Sequence, residues 1–152
     1  MKKITALIII FFISAVSCST SFIMKDKITL TELLSTKENI DKAENPAESM
    51  LLKNDLAEKI IILENLKVKD IIPSTHVDYD FCILSDLPTE KGIIECYIYT
   101  KNVRRISKLK KGESVIDVKG EFERFFSTLD NYYTKIEIVK CVISFSELPE
   151  TK

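Results

Sequence analysis

Lys91–Thr100 reads KGIIECYIYT, Lys101–Gly112 reads KNVRRISKLKKG, and Glu113–Phe126 reads ESVIDVKGEFERFF. The first piece alternates with the two-residue period of a strand, and so does the last. In the middle piece Val103, Ile106 and Leu109 recur every three residues, and Gly112 follows as a C-terminal stop. Lys108, Lys110 and Lys111 stand where a helix end favours cations. Strand, short basic helix, strand is the middle of a small β-barrel whose helix plugs one end.

Working outward, Lys59–Ile72 (KIIILENLKVKDII) reads as the first strand. Ile60 and Ile62 alternate, then Leu66 and Val68, and the phase breaks at Glu64-Asn65. A bulge fits there, because Asn tolerates the left-handed backbone and barrels need corners. Pro73–His76 is the first loop. Val77–Leu84 is the second strand, Ser85–Gly92 has the composition of a turn, and Ile93–Thr100 is the third strand. One face of this pair is expected to carry Cys82, Leu84, Ile94, Cys96 and Ile98, and the other Tyr79, Phe81, Tyr97 and Tyr99. The smaller cysteine face is the better filling for a tight barrel. Val115–Phe126 is the fourth strand, with Gly120 at a bend. Leu129–Tyr132 is a turn, and Tyr133–Ile143 is the last strand with Ile136 and Ile138 inward.

Before the barrel come two helices. Thr29-Leu30-Thr31-Glu32 has capping-box spacing, and Leu30, Leu33, Leu34 and Ile40 form a stripe behind it. Asn45 caps the second helix with Pro46 at its first position. Ala47, Met50, Leu51 and Leu52 are expected to cover the barrel. The divisions are therefore an export signal at 1–17, a tether at 18–28, helices at 29–57, the barrel at 58–146 and a tail at 147–152. The signal consists of Lys2 and Lys3 followed by the apolar run Ile4–Val16. Its 13 residues are too few for a membrane span, which takes about 20.

Two resemblances follow from these residues. Ala15-Val16-Ser17-Cys18 resembles the bacterial lipobox, with Ala15 where Leu is usual. That implies a mature chain starting at a lipid-modified Cys18, anchored to the outer membrane or to the outer side of the inner membrane. Ser19 is not the Asp associated with inner-membrane retention. Leu109–Val115, Val118-Lys119-Gly120 and Ile138–Ile143 resemble the tRNA-anticodon-binding-like oligonucleotide/oligosaccharide-binding (OB) domains of many bacterial lipoproteins. The resemblance covers roughly residues 30 to 145. It implies a mainly β fold with N-terminal helices, a five-stranded OB barrel with a helix between strands 3 and 4. It brings across no catalytic residue.

Charge and composition narrow the function. Without Lys2 and Lys3 the chain keeps 20 basic and 23 acidic residues, a net charge of −3, which argues against nucleic acid as the partner. Three glycines and no phosphate loop argue against nucleotide cofactors. One histidine and no closely spaced cysteine pair argue against a metal centre or a catalytic triad, so no cofactor or catalytic residue is expected. Cys82, Cys96 and Cys141 remain after Cys18. They are either buried thiols or contain one internal disulfide of undetermined pairing. Tyr79, Tyr97 and Tyr99 stand where OB domains stack bases or sugars, and His76 and Tyr132 in the loops join them as candidate ligand contacts. The basic run from Lys101 to Lys111 is either a solvated face or a contact for anionic lipid. The expected function is a membrane-anchored envelope lipoprotein, non-catalytic, binding a protein, glycan or other envelope component. The alternative is a single-stranded nucleic-acid binder.

Overall fold

The computed structural model describes residues 25–126 and 134–146. The expected signal, Cys18, the loop with Tyr132 and the tail lie outside them. β1 (Lys27–Ile28) is followed by α1 (Leu30–Lys42), α2 (Pro46–Leu56), β2 (Ile60–Pro73), β3 (Phe81–Thr89) and β4 (Gly92–Tyr99). The short α3 (Val103–Ile106), β5 (Val115–Phe126) and β6 (Thr134–Phe145) follow. The strands pair in the order β1-β2-β3-β4-β6-β5, and β2 also pairs with β5. That last pairing closes β2 to β6 into a five-stranded barrel. β4 and β6 run parallel, while the other barrel pairs are antiparallel. This is the OB order, with a helix between the third and fourth barrel strands, as the sequence led us to expect.

The break at Glu64-Asn65 is a bulge. The β2–β5 register shifts between Leu63 and Leu66, and Asn65 has φ 56°. Asp117 Oδ1 accepts from the Asn65 N–H at 2.9 Å, so the displaced amide keeps a partner. The bulge also resets which residues face inward. Ile61 and Leu63 fill the interior before it and Leu66 and Val68 after it, whereas Ile62 is 46% exposed.

Strand β3 sits later than its composition suggested. Val77–Asp80 belong to the loop, and Asp86 and Pro88 lie inside the strand. Pro88 is tolerated because β2 pairs with β3 only as far as Ser85, so an edge without a donor leaves no neighbour unsatisfied. The shift changes the faces. Cys82 lies opposite Tyr99, Ile83 opposite Ile98, Leu84 opposite Tyr97 and Ser85 opposite Cys96. The interior face is therefore Ile83, Ser85, Ile94, Cys96 and Ile98, with Cys82 and Leu84 outside beside the tyrosines. Cys82 and Cys96 do not oppose each other across the hairpin.

Leu33, Ile40 and Leu56 of the helices, with Ile106 and Leu109, join the barrel interior in one apolar cluster. Full burial of each such side chain contributes about 1.5–3 kcal/mol. The Thr29 capping box forms, and the Asn45 side chain caps α2. The buried side of α2 is Leu52 and Leu56, however. Met50 and Leu51 are 64% and 65% exposed, and Ala47 is exposed too. The plug is shorter than its three-residue period implied. α3 holds four residues and Val103 faces solvent. Only Ile106 and Leu109 reach the interior, the latter from a turn. Lys27–Ile28, expected in the tether, pair in parallel with Ile60 and Ile61.

Candidate functional site

Alternation along β4 sends Ile94, Cys96 and Ile98 inward and Glu95, Tyr97 and Tyr99 outward. Their outward neighbours are Cys82, Leu84 and Asp86 on β3 and Lys135 and Glu137 on β6. This outer face of β3, β4 and β6 is where the sequence placed its tyrosines. It also carries a ladder of charges. Glu95 accepts from Lys69 at 2.9 Å and Lys135 at 2.8 Å, and Lys69 also reaches Asp86 at 3.1 Å. Glu137 accepts from Arg124 Nε and, at 3.3 Å, from the Tyr99 hydroxyl. Burial opposes ionisation of Glu95, but the hydrogen bonds from Lys135 and Lys69 outweigh it and hold its carboxyl below the usual range.

The loop between β2 and β3 is pinned over part of this face. Ser74 Oγ accepts from His76 N at 2.9 Å, Ser74 N donates to Asp80 O at 3.0 Å, and Tyr79 N donates to His76 O at 3.2 Å. The Tyr79 hydroxyl accepts from Lys140 N at 2.9 Å. His76 Nδ1 accepts from Asp78 N at 3.2 Å, and its Nε2 faces Glu123 at 3.4 Å. The His76 ring lies 5.0 Å from Tyr79 and 5.4 Å from Tyr99, and the two tyrosines are 5.5 Å apart.

His76, Tyr79 and Tyr99 therefore come together, but as packing. Tyr99 is 1% exposed and Tyr79 9%, and burial raises both phenol pKa values. A ligand meets neither ring face unless the loop lifts. Tyr97 is half-buried and available, with Phe126 set edge-on at 4.9 Å and Lys135 Nζ 5.7 Å from its ring. Phe126, Lys69, Glu95, Lys135, Arg124 and Glu137 are features of the face that strand alternation alone did not single out. For Phe126, Lys135, Arg124 and Glu137 the signal is the β5–β6 register, in which Arg124 meets Glu137 and Phe126 meets Lys135 only after two shifts.

Cys82, Cys96 and Cys141 are buried free thiols. Burial pushes Cys82 and Cys96 up to about 12 and Cys141 up as well, so all three stay protonated and unreactive at neutral pH. Among the described residues no group of His, Cys, Asp and Glu is arranged to hold a metal ion.

A second feature lies beside the pinned loop. An open groove of about 920 Å³ runs between Thr100–Arg105 and Lys140–Ile143, with Asp78 and Tyr79 at its end. Among the described residues four cations line it, Lys101, Arg104, Arg105 and Lys140, against one carboxylate, Asp78. Arg105 is committed to the Ile143 carbonyl, and Lys140 reaches Glu121 at 2.8 Å. Compared with known proteins, the chain matches no family model, and no curated protein is significantly similar to it.

Proposed function

We propose that this chain is a lipoprotein anchored to a membrane of the cell envelope through Cys18, and that its OB barrel is a non-catalytic binding module for a protein, glycan or other envelope component. The lipobox-like Ala15–Cys18 supports the anchor, and the resemblance to lipoprotein OB domains agrees with it. The observation that carries the binding reading is the accessible aromatic step of Tyr97 and Phe126 on a rigid, ion-paired sheet. A ring held by the barrel costs little ordering entropy on binding. In intact cells Cys18→Ser is expected to move the protein from the membrane to the soluble fraction. A photo-crosslinker beside Tyr97 should capture a discrete partner, and Tyr97→Ala with Phe126→Ala should abolish that capture while the thermal melt stays cooperative. Capture undiminished by the double substitution would place the binding face elsewhere.

A second reading, single-stranded nucleic acid, draws on the basic groove. Burial of Tyr79 and Tyr99 and the net charge of −3 weigh against it, because such binders combine cations with exposed stacking rings.

A further inference from the structure

The basic groove sits beside the point where the chain enters the barrel. Asp26 O accepts from Ile60 N at 2.8 Å, and Ile60 lies opposite Glu121. Glu121 accepts from Lys25 at 2.9 Å and from Lys140 at 2.8 Å. One carboxylate thus ties the first described residue to a wall of the groove. Seven residue steps separate Cys18 from Lys25. Fully extended they reach at most about 25 Å. A lipid on Cys18 therefore keeps Lys25 within about 25 Å of the anchor whatever path the intervening chain takes.

The groove's lining has the chemistry of a membrane interface. Arg104 is exposed, and so is Lys108, one turn beyond the groove. Neither has an ion-pair partner among the described residues. Val103 is 45% exposed and Val142 57%, and both line the groove. Exposed valines beside cations give nothing to a free inorganic anion. At a bilayer they enter the boundary beneath the headgroups while the cations take the phosphates. The remainder of the mature chain is acidic, so an anionic surface repels the other faces and orients this one toward it. Among the described residues Tyr79 is the one aromatic ring in the groove, and it is covered, so a stacked strand of nucleotides fits less well.

We propose that the groove between Thr100–Arg105 and Lys140–Ile143 is a docking surface for anionic phospholipid, a second contact that orients the barrel on the membrane carrying its tether. The proposal rests on the anchoring reading for its geometry, but the charge–lipid contact is measurable without the acyl chains. The probe is the full chain with Cys18→Ser, bound to vesicles of phosphatidylcholine alone or mixed with phosphatidylglycerol. Lys101→Glu with Arg104→Glu is compared in the same chain. The apolar leader and Lys2-Lys3 are common to both proteins, so their difference isolates the groove.

Each cation near an anionic surface contributes about fivefold, so losing two should weaken binding to the mixed vesicles by roughly thirtyfold or more. Binding to phosphatidylcholine alone should change little. Lys101→Gln with Arg104→Gln should fall between, and unchanged thermal melts exclude misfolding as the cause. Equal binding by parent and variant, or no preference for the anionic vesicles, overturns the proposal. So does groove-dependent binding of inorganic phosphate or of a single-stranded oligonucleotide with none to the vesicles. Failure here leaves membrane release by Cys18→Ser untouched, so the two readings fall separately.

Discussion

Gly120 stands where β5 is packed tightly against β6. A Cβ added there would meet Cys141 Sγ at 2.6 Å, Ile138 Cγ2 at 2.7 Å and Val139 O at 2.9 Å. The third of these is backbone and moves only with its strand. The partner strand bends at the same place, with Lys140 at φ 52° and a register shift between Lys119 and Glu121. Overpacking of this kind typically costs about 1–3 kcal/mol. Gly120→Ala should lose that much in chemical denaturation, and adding Cys141→Ala should recover part of it by removing the nearest atom. Full additivity of the two losses would show that the contact is not the reason for the glycine. Gly112 differs: its φ is 75° and nothing lies within 4 Å of an added Cβ, so backbone conformation rather than space selects it. The sequence singled out both glycines. It separated neither cause, because a turn glycine and a close-approach glycine look alike in one sequence.

Elements were legible where a local rule decides them. The Thr29-x-x-Glu32 spacing becomes a full capping box: Thr29 Oγ1 accepts from Glu32 N at 3.2 Å, and Glu32 Oε2 accepts from Thr29 N at 2.9 Å. Thr29→Ala should therefore cost about 1 kcal/mol of stability, and Thr29→Ser should retain most of it. A chemical denaturation midpoint for the two variants checks this, and equal loss in both would mean that the methyl group rather than the oxygen matters. The bulge at Asn65 was legible for a similar reason, since the residue that breaks the alternation also tolerates φ 56°. Where tertiary pairing decides, local signals misled. Asp86 and Pro88 look like a turn, yet β4 pairs with β3 out to Thr89 and Gly92. The face assignment of Cys82 and Leu84 moved with that shift, because one residue of register exchanges inside for outside. The three-residue period of Val103, Ile106 and Leu109 is also that of a single helical turn followed by a bend.

At the scale of the whole molecule, barrel closure buries carboxylates on the outer face, and no local pattern shows that in advance. Glu95 and Glu121 come from different strands, and their cationic partners from others. Glu121 is opposed by burial, but its bonds from Lys140 and Lys25 prevail and lower its pKa, as those from Lys135 and Lys69 do for Glu95. A carboxylate whose pKa is lower in the folded chain adds stability that is fully present above its unfolded value, about 4.3. That stability is lost as pH falls through the folded value. The barrel should therefore weaken in acid. Glu95→Gln tests the source. Its side chain is 6% exposed, as is little of Lys135 at 9%, whereas Lys69 is 39% exposed and regains water. Breaking a buried pair from one side costs roughly 3–5 kcal/mol, and the exposure of Lys69 puts this one at the lower end. At pH 7 the variant should be about 3 kcal/mol less stable than the parent. The gap should narrow as pH falls below about 4.3, where the unfolded chain's carboxylate takes up a proton, and close once the folded one does so too. A gap that stays constant from pH 7 to pH 3 in denaturation curves would place the stabilisation in shape rather than charge.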